Sequence, residues 1–303
     1  MSIVSNPTQF SGAYTALITP FLNGEIDEPA LRLLVDFQIR HGINGIVPCG
    51  TTGEAATMTD AEHDRVVSIV AEQVGGRVPV IAGTGSNDTR SAIAHTLHAA
   101  RSGADAALVV VPYYNKPTQE GIYRHFAAVA DATDLPIILY NVPGRTGVNM
   151  LPETVVRLSE IPSIVGIKEA SGSLDQASQI AIEAPADFIV LSGDDSLTLP
   201  IMSVGGRGVI SVASNIVPAA VAGLTDAALR GDFATARAFH ARLFDLCRAM
   251  FLENNPTAVK TAAAMLGLCG GELRLPLVEL TELSRRRLSD ALNAWGFAAL
   301  VAA

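Results

Sequence analysis

The sequence predicts an α/β fold, a (β/α)8 TIM barrel with a helical appendage after it. Three observations lead there. Eight short apolar runs, rich in Val and Ile, recur along the chain. Longer segments of helical character lie between them. Most of the runs lead directly into Gly, Pro, Asn, Asp or Thr. Nearly continuous apolar character marks strands buried on both faces of a parallel sheet. Eight such βα units in succession close into a barrel.

In order, the runs are YTALIT (14–19), NGIVPCG (44–50), PVIAGTG (79–85) and ALVVVPYY (107–114), then PIILYNV (136–142), IVGIKEA (164–170), FIVLSGDD (188–195) and GVISVAS (208–214). Between them, DEPALRLLVDFQIRHG (27–42) and DTRSAIAHTLHAARSG (88–103) begin with Asp and end with Gly just past the last apolar position. Capped helices read this way. The competing fold is an open doubly wound sheet with a second domain. It fits less well, because no composition break divides the chain and no dinucleotide-type glycine spacing follows the first run. After residue 215 the pattern is helical. The expected division is a barrel over residues 1–230 and a helical region over 231–303, packed on the barrel and not folding alone.

Composition narrows the function. Of 303 residues, 49% are apolar and only 5% aromatic, so the core is large but built from small side chains. No unbroken apolar run reaches the roughly 18 residues of a membrane span. The start, MSIVSNPTQFSG, lacks the basic-then-apolar pattern of a secretory signal. Cys49, Cys247 and Cys269 are odd in number and lack metal-like spacing, which predicts no disulfide framework and a cytoplasmic, reducing setting. The net charge of −9 comes without a basic run, which argues against nucleic acid and anionic membrane as partners. A small anionic substrate stays open, since a site can be locally positive on an acidic protein.

A barrel carries its chemistry at the C-terminal ends of its strands. Those ends are polar here: Gly50-Thr51-Thr52-Gly53-Glu54, Tyr113-Tyr114-Asn115, Tyr140-Asn141-Val142-Pro143-Gly144-Arg145, Lys168-Glu169 and Ser192-Gly193-Asp194-Asp195. Singly, each has an ordinary explanation. The threonines suit helix caps, the tyrosines a rim, Arg145 a solvated position, and Asp194-Asp195 a helix start. A lysine at the end of an apolar strand usually faces water. Together on one rim they point to chemistry. If Lys168 faces inward, alternation along the strand turns Gly166 and Ile164 inward too, with Gly166 leaving room beneath the lysine stem. Tyr140 on the neighbouring strand would then approach the amine, with Ile138 inward beside it. An amine walled by a barrel loses hydration, which favours its neutral, nucleophilic form, and a phenol beside it can pass protons.

At these residues the sequence resembles the dihydrodipicolinate synthase family of pyruvate-dependent class I aldolases, the group that also contains N-acetylneuraminate lyase. The matching pieces are GTTGE (50–54), PVIAGTGSN (79–87), PYYNKPTQEG (112–121), LPIILYNVPGRTG (135–147), GIKEASG (166–172), LSGDD (191–195), GVISV (208–212) and, less densely, ENNPTAVKTA (253–262). The resemblance implies a lyase that condenses pyruvate with L-aspartate 4-semialdehyde to give 4-hydroxy-tetrahydrodipicolinate, in lysine and diaminopimelate biosynthesis. Lys168 would form the Schiff base. Tyr140, Thr51 and Tyr114 would form a proton relay, with Tyr114 reaching across from a neighbouring subunit. Thr51 and Thr52 would hold the pyruvate carboxylate, and Arg145 the semialdehyde carboxylate. Gly193 and Ile210 would contribute backbone to the pocket. The resemblance implies no metal or organic cofactor, and a homotetramer made of two dimers.

Three other readings compete. A sugar-acid lyase of the same group would share Lys168 and Tyr140, but Arg145 in PGRTG suits a second carboxylate better than sugar hydroxyls. A catalytically silent keto-acid-binding barrel would not need Lys168, Tyr140, Thr51 and Tyr114 together. A phosphate site at Gly205-Gly206-Arg207-Gly208 would lie before the eighth strand, at the opposite rim, where a turn is the simpler account. Lysine-inhibited family members carry a histidine where this chain has Asp60 and a glutamate where it has Ser91, while His63 and Asn87 match. The sequence therefore predicts weak or absent inhibition by L-lysine.

Overall fold

The computed structural model describes residues 10–297. Residues 1–9 and 298–303, the outer ends of the two expected regions and most of the leading segment, lie outside the described residues. Eight parallel strands form one sheet: β1 (Gly12–Ala16), β2 (Gly45–Val47), β3 (Ile81–Gly83), β4 (Ala106–Val110), β5 (Ile137–Asn141), β6 (Ile164–Glu169), β7 (Ile189–Ser192) and β8 (Gly208–Ser211). Each pairs with its sequence neighbours, and β1 pairs with both β2 and β8. A parallel bridge between Ile46 and Val80 joins β2 to β3 and closes the barrel. All eight predicted runs are therefore strands of the predicted fold.

The helices follow from local signals. α1 (Glu28–Arg40) and α3 (Thr89–Arg101) start where Asp27 and Asp88 accept from the backbone N–H of Ala30 and Arg90. Both stop just before the anticipated glycines. α2 (Asp60–Val74) opens with a capping box between Thr59 and Glu62, which satisfies two otherwise orphaned N–H groups. α4 (Gln119–Asp131), α5 (Pro152–Leu158), α6 (Leu174–Glu183), α7 (Thr198–Ser203) and α8 (Pro218–Leu229) complete the ring. Beyond it run α9 (Phe233–Ala249), α10 (Thr257–Met265) and α11 (Glu282–Leu292). Leu243, Met250, Val259 and Leu288 of these last segments share one apolar cluster with Leu34, Val66 and Val209 of the barrel. The sequence reading did not anticipate a two-stranded hairpin, Phe21–Leu22 with Glu25–Ile26. None of the described helices is long and apolar enough to cross a membrane.

The interior of the barrel is a separate layer. Tyr14, Val47, Ile81, Leu108, Ile138, Tyr140, Leu191 and Ile210 pack there. Ile138 and Tyr140 face inward together, as alternation requires. Ile164 does not follow that expectation. The β5–β6 register steps from Ile137 opposite Ile164 to Ile138 opposite Gly166. The extra residue, Val165, packs in the interior layer, while Ile164 joins the outer cluster beneath the helices. A bulge of this kind resets which side chains face the core, and it leaves Lys168 opposite Tyr140.

Candidate active site

The C-terminal ends of β5 and β6 place Tyr140 and Lys168 side by side. Lys168 is only 6% exposed. Its Nζ lies 4.1 Å from the centroid of the Tyr140 ring, within the range of a cation–π contact. Among the described residues no carboxylate lies within ion-pair distance of this amine. The chain has only three lysines. Lys116 is exposed, and Lys260 is bound to Glu54 at 2.5 Å. Lys168 alone combines burial, freedom from a carboxylate and a phenol neighbour.

The room for its stem is not where alternation put it. A Cβ on Gly166 would come within 2.6 Å of the Ile189 carbonyl oxygen, so that glycine serves the close approach of β6 and β7. The space beside the lysine belongs to Gly193. A Cβ there would fall 2.5 Å from the Ala170 Cβ and 3.1 and 3.2 Å from Cε and Cγ of Lys168. Gly193→Ala should therefore push the amine off its position. The expected result is about a tenfold to hundredfold slower trapping of pyruvate by borohydride, as for other small misplacements of a reacting group. An unchanged trapping rate would mean that Ala170 yields and the stem stays put.

A cavity of about 430 Å³ opens on the same rim. Thr51, Tyr113, Tyr140 and Arg145 are among the residues that line it, as are His63 and His95. Lys168 is not among the residues lining it; its amine lies against the ring of Tyr140, which is. Thr52 is buried beside Thr51 and accepts a 3.0 Å hydrogen bond from Asn255 Nδ2. Arg145 follows β5 in a single helical turn, Pro143–Thr146, and donates from Nη2 to the Asn255 carbonyl at 3.3 Å. Asn255 thus contacts both Thr52 and Arg145. It stands in ENNPTAVKTA and was given no role in the sequence reading. The signal was there, since an Asn-Pro pair in that segment sits between two helical stretches. Ile210 lies in the interior layer with Tyr140.

Tyr114 stands apart. It is 88% exposed, has φ of 72°, and is not among the cavity's lining residues, where Tyr113 appears instead. The acidic pair after β7 divides its work. Asp194 heads a short 3-10 turn by accepting from Ser196 N–H, as the helix-start reading anticipated. Asp195 is buried and accepts from the N–H groups of Val212 and Ala213, both at 2.9 Å. It ties the β7 loop to the end of β8, and burial raises its carboxyl above the ordinary range.

On the cavity wall the His63 and His95 rings stack 4.4 Å apart. His63 Nε2–H donates to the Gly83 carbonyl at 2.8 Å. Burial first, and His95 second, lower its pKa below the usual imidazole range. Asp60 is close to the other ring, with Oδ1 3.2 Å from His95 Nε2. Among the described residues no cluster of three or more His, Cys, Asp or Glu is arranged to hold a metal ion.

Comparison with known proteins identifies the family. The chain is 56% identical over 289 residues to a protein of Nitratidesulfovibrio vulgaris named 4-hydroxy-tetrahydrodipicolinate synthase, covering 95% of this chain and 99% of that one. The solved 4-hydroxy-tetrahydrodipicolinate synthase of Methylacidiphilum fumariolicum superposes with a TM-score of 0.94 at 49% identity, covering 96% of this chain and 98% of that one. A DHDPS of Cyanidioschyzon merolae, solved with lysine bound, gives 0.92 at 43% identity, covering 95% and 98%. Residues 9–295 match the Dihydrodipicolinate synthetase family, and the chain belongs to it.

Proposed function

We propose that this chain is a 4-hydroxy-tetrahydrodipicolinate synthase. It condenses pyruvate with L-aspartate 4-semialdehyde through a Schiff base on Lys168. The observation that carries the reading is the buried Lys168 amine against the Tyr140 ring. The unprotonated amine attacks the pyruvate ketone carbon, and water leaves as the imine forms. Loss of a methyl proton gives the enamine, whose carbon attacks the aldehyde of the second substrate. The new carbon–carbon bond leaves a hydroxyl where the aldehyde was. The amino group of the semialdehyde then adds to the imine carbon, the ring closes, and Lys168 departs as the free amine.

Tyr140 and Thr51 carry protons in these steps, a role supported by both lining the cavity. Thr51 and Thr52 take the pyruvate carboxylate, and Gly193 and Ile210 shape the pocket around the reacting carbon. Arg145 takes the semialdehyde carboxylate through a charge-assisted fork. Arg145→Ala should lower kcat/KM for the semialdehyde about 10²-fold, the worth of one charged hydrogen-bonded contact, while pyruvate trapping changes little. Equal losses for both substrates would make the arginine a general scaffold of the site. Turnover of pyruvate with L-aspartate 4-semialdehyde, assayed beside cleavage of N-acetylneuraminate, tests the activity itself. Cleavage without condensation would select the sugar-acid lyase.

Tyr114 completes the relay from a neighbouring subunit of a homotetramer, a dimer of dimers. Its exposure and its absence from its own cavity support this. The free thiols of Cys49, Cys247 and Cys269 support a cytoplasmic setting. L-lysine should inhibit weakly or not at all. No glutamate stands at Ser91, and the nearest substitute, Asp60, lies against His95. An ammonium group brought there lacks a dedicated partner. Activity titrated with L-lysine at fixed substrate checks this, and strong inhibition below about 1 mM, a Kd worth more than roughly 4 kcal/mol, would contradict it.

A further inference from the structure

The turn that carries Thr51 and Thr52 is held from outside the barrel. Inside, Thr19 Oγ1 donates to the Gly53 carbonyl at 2.8 Å. Outside, Glu54 adopts a left-handed backbone conformation, φ 57°, which a residue with a Cβ enters only at some cost. Its Oε1 accepts from Lys260 Nζ at 2.5 Å, and its Oε2 accepts from the Arg274 N–H at 3.1 Å. Lys260, on α10, is fully buried, and the carboxylate it meets is buried as well. The lysine amine also lies 4.2 Å from the Phe21 ring, and the Arg274 guanidinium 4.3 Å from the same ring. Burial draws the lysine pKa down, and Glu54 opposes that pull.

A buried pair of this kind is a poor source of net stability, because desolvation of both charges offsets their attraction. An apolar pair of similar volume would hold the two segments together as well. What it would not supply is direction. The pair and the Arg274 N–H fix both oxygens of Glu54, and Glu54 follows Thr52 by only two residues. We propose that Lys260 and Glu54 are positioning residues for the keto-acid carboxylate. Through the Glu54 backbone they set the orientation of the Thr51–Thr52 turn. This deepens the proposed function and rests on its assignment of those two threonines to pyruvate.

The test compares Glu54→Gln, Lys260→Met and the double variant Glu54→Gln/Lys260→Met. The double variant buries no unpaired charge and keeps an amide oxygen for the Arg274 N–H. Three quantities are read: Tm, KM for each substrate, and the pyruvate concentration that half-saturates borohydride trapping. Lys260→Met strands a buried carboxylate and should lower Tm by several degrees, and the double variant should recover most of that loss. Pyruvate KM and half-saturation should rise about tenfold in all three, the equivalent of one weakened charged hydrogen bond, with semialdehyde KM nearly unchanged. Pyruvate values that return to normal along with Tm in the double variant would overturn the inference. So would unchanged values throughout, or an equal rise for both substrates. Should the single variants fail to fold, the double variant alone decides. Thr52→Val is the control. If it leaves pyruvate half-saturation unchanged, the assignment of the threonines is wrong and the inference falls with it. If it raises half-saturation while the pair variants do not, the inference alone fails.

Discussion

Lys168→Ala is expected to lower turnover by about 10⁴-fold or more, the scale seen when a covalent nucleophile is removed, and to leave the barrel folded. The backbone of β6 is paired on both sides, with Lys168 opposite Tyr140 on one side and Leu191 on the other. None of those hydrogen bonds uses the side chain. The amine has no carboxylate to strand, so its removal costs only the packing of its stem, roughly 1–3 kcal/mol. Neither other lysine can substitute. Lys116 is exposed, and Lys260 is held by Glu54. A variant that keeps the Tm within a few degrees while losing turnover supports the assignment. Turnover within about tenfold of the parent would remove Lys168 from the chemistry, since a lost nucleophile costs far more than that.

Tyr140→Phe is expected to be the second largest effect. It deletes one hydroxyl and keeps the ring face that the Lys168 amine touches. Packing with Ile138 and Leu191 in the interior layer should persist, so stability should change by less than about 1.5 kcal/mol. If the phenol moves protons between the reacting carbon, the departing water and solvent, its loss should slow kcat by about 10²-fold to 10⁴-fold. KM for pyruvate should change little, because the ring and the threonines remain. A kcat equal to the parent's would reduce Tyr140 to a wall of the pocket.

The eight strands were legible because a parallel sheet buried on both faces leaves an apolar signature, and the runs from Tyr14 to Ser214 carry it without interruption. α1 and α3 were legible from Asp27 and Asp88, whose side chains take up orphan N–H groups at the positions anticipated. The hairpin at Phe21–Ile26 was not, since strands of two residues have no period to read. Strict alternation placed Ile164 inward and gave Gly166 the space under Lys168. A register shift cannot be seen in apolar spacing when both faces are buried, and it moved Ile164 out and Val165 in. Part of the rim was legible from residue types at strand ends: Thr51, Tyr140 and Arg145 line one cavity, and the Lys168 amine lies against the Tyr140 ring. Asn255 and the Lys260–Glu54 pair were not. Glu54 and Lys260 are 206 positions apart, and no local pattern links a carboxylate after β2 to an amine on α10.

The most direct test of the account uses the unmodified protein. Incubation with pyruvate and borohydride, followed by proteolysis and peptide mass mapping, reads which amine forms the imine. The account predicts one reduced pyruvate adduct, on the peptide containing Lys168. An adduct on Lys116 or Lys260, or no adduct with pyruvate at saturation, would contradict it.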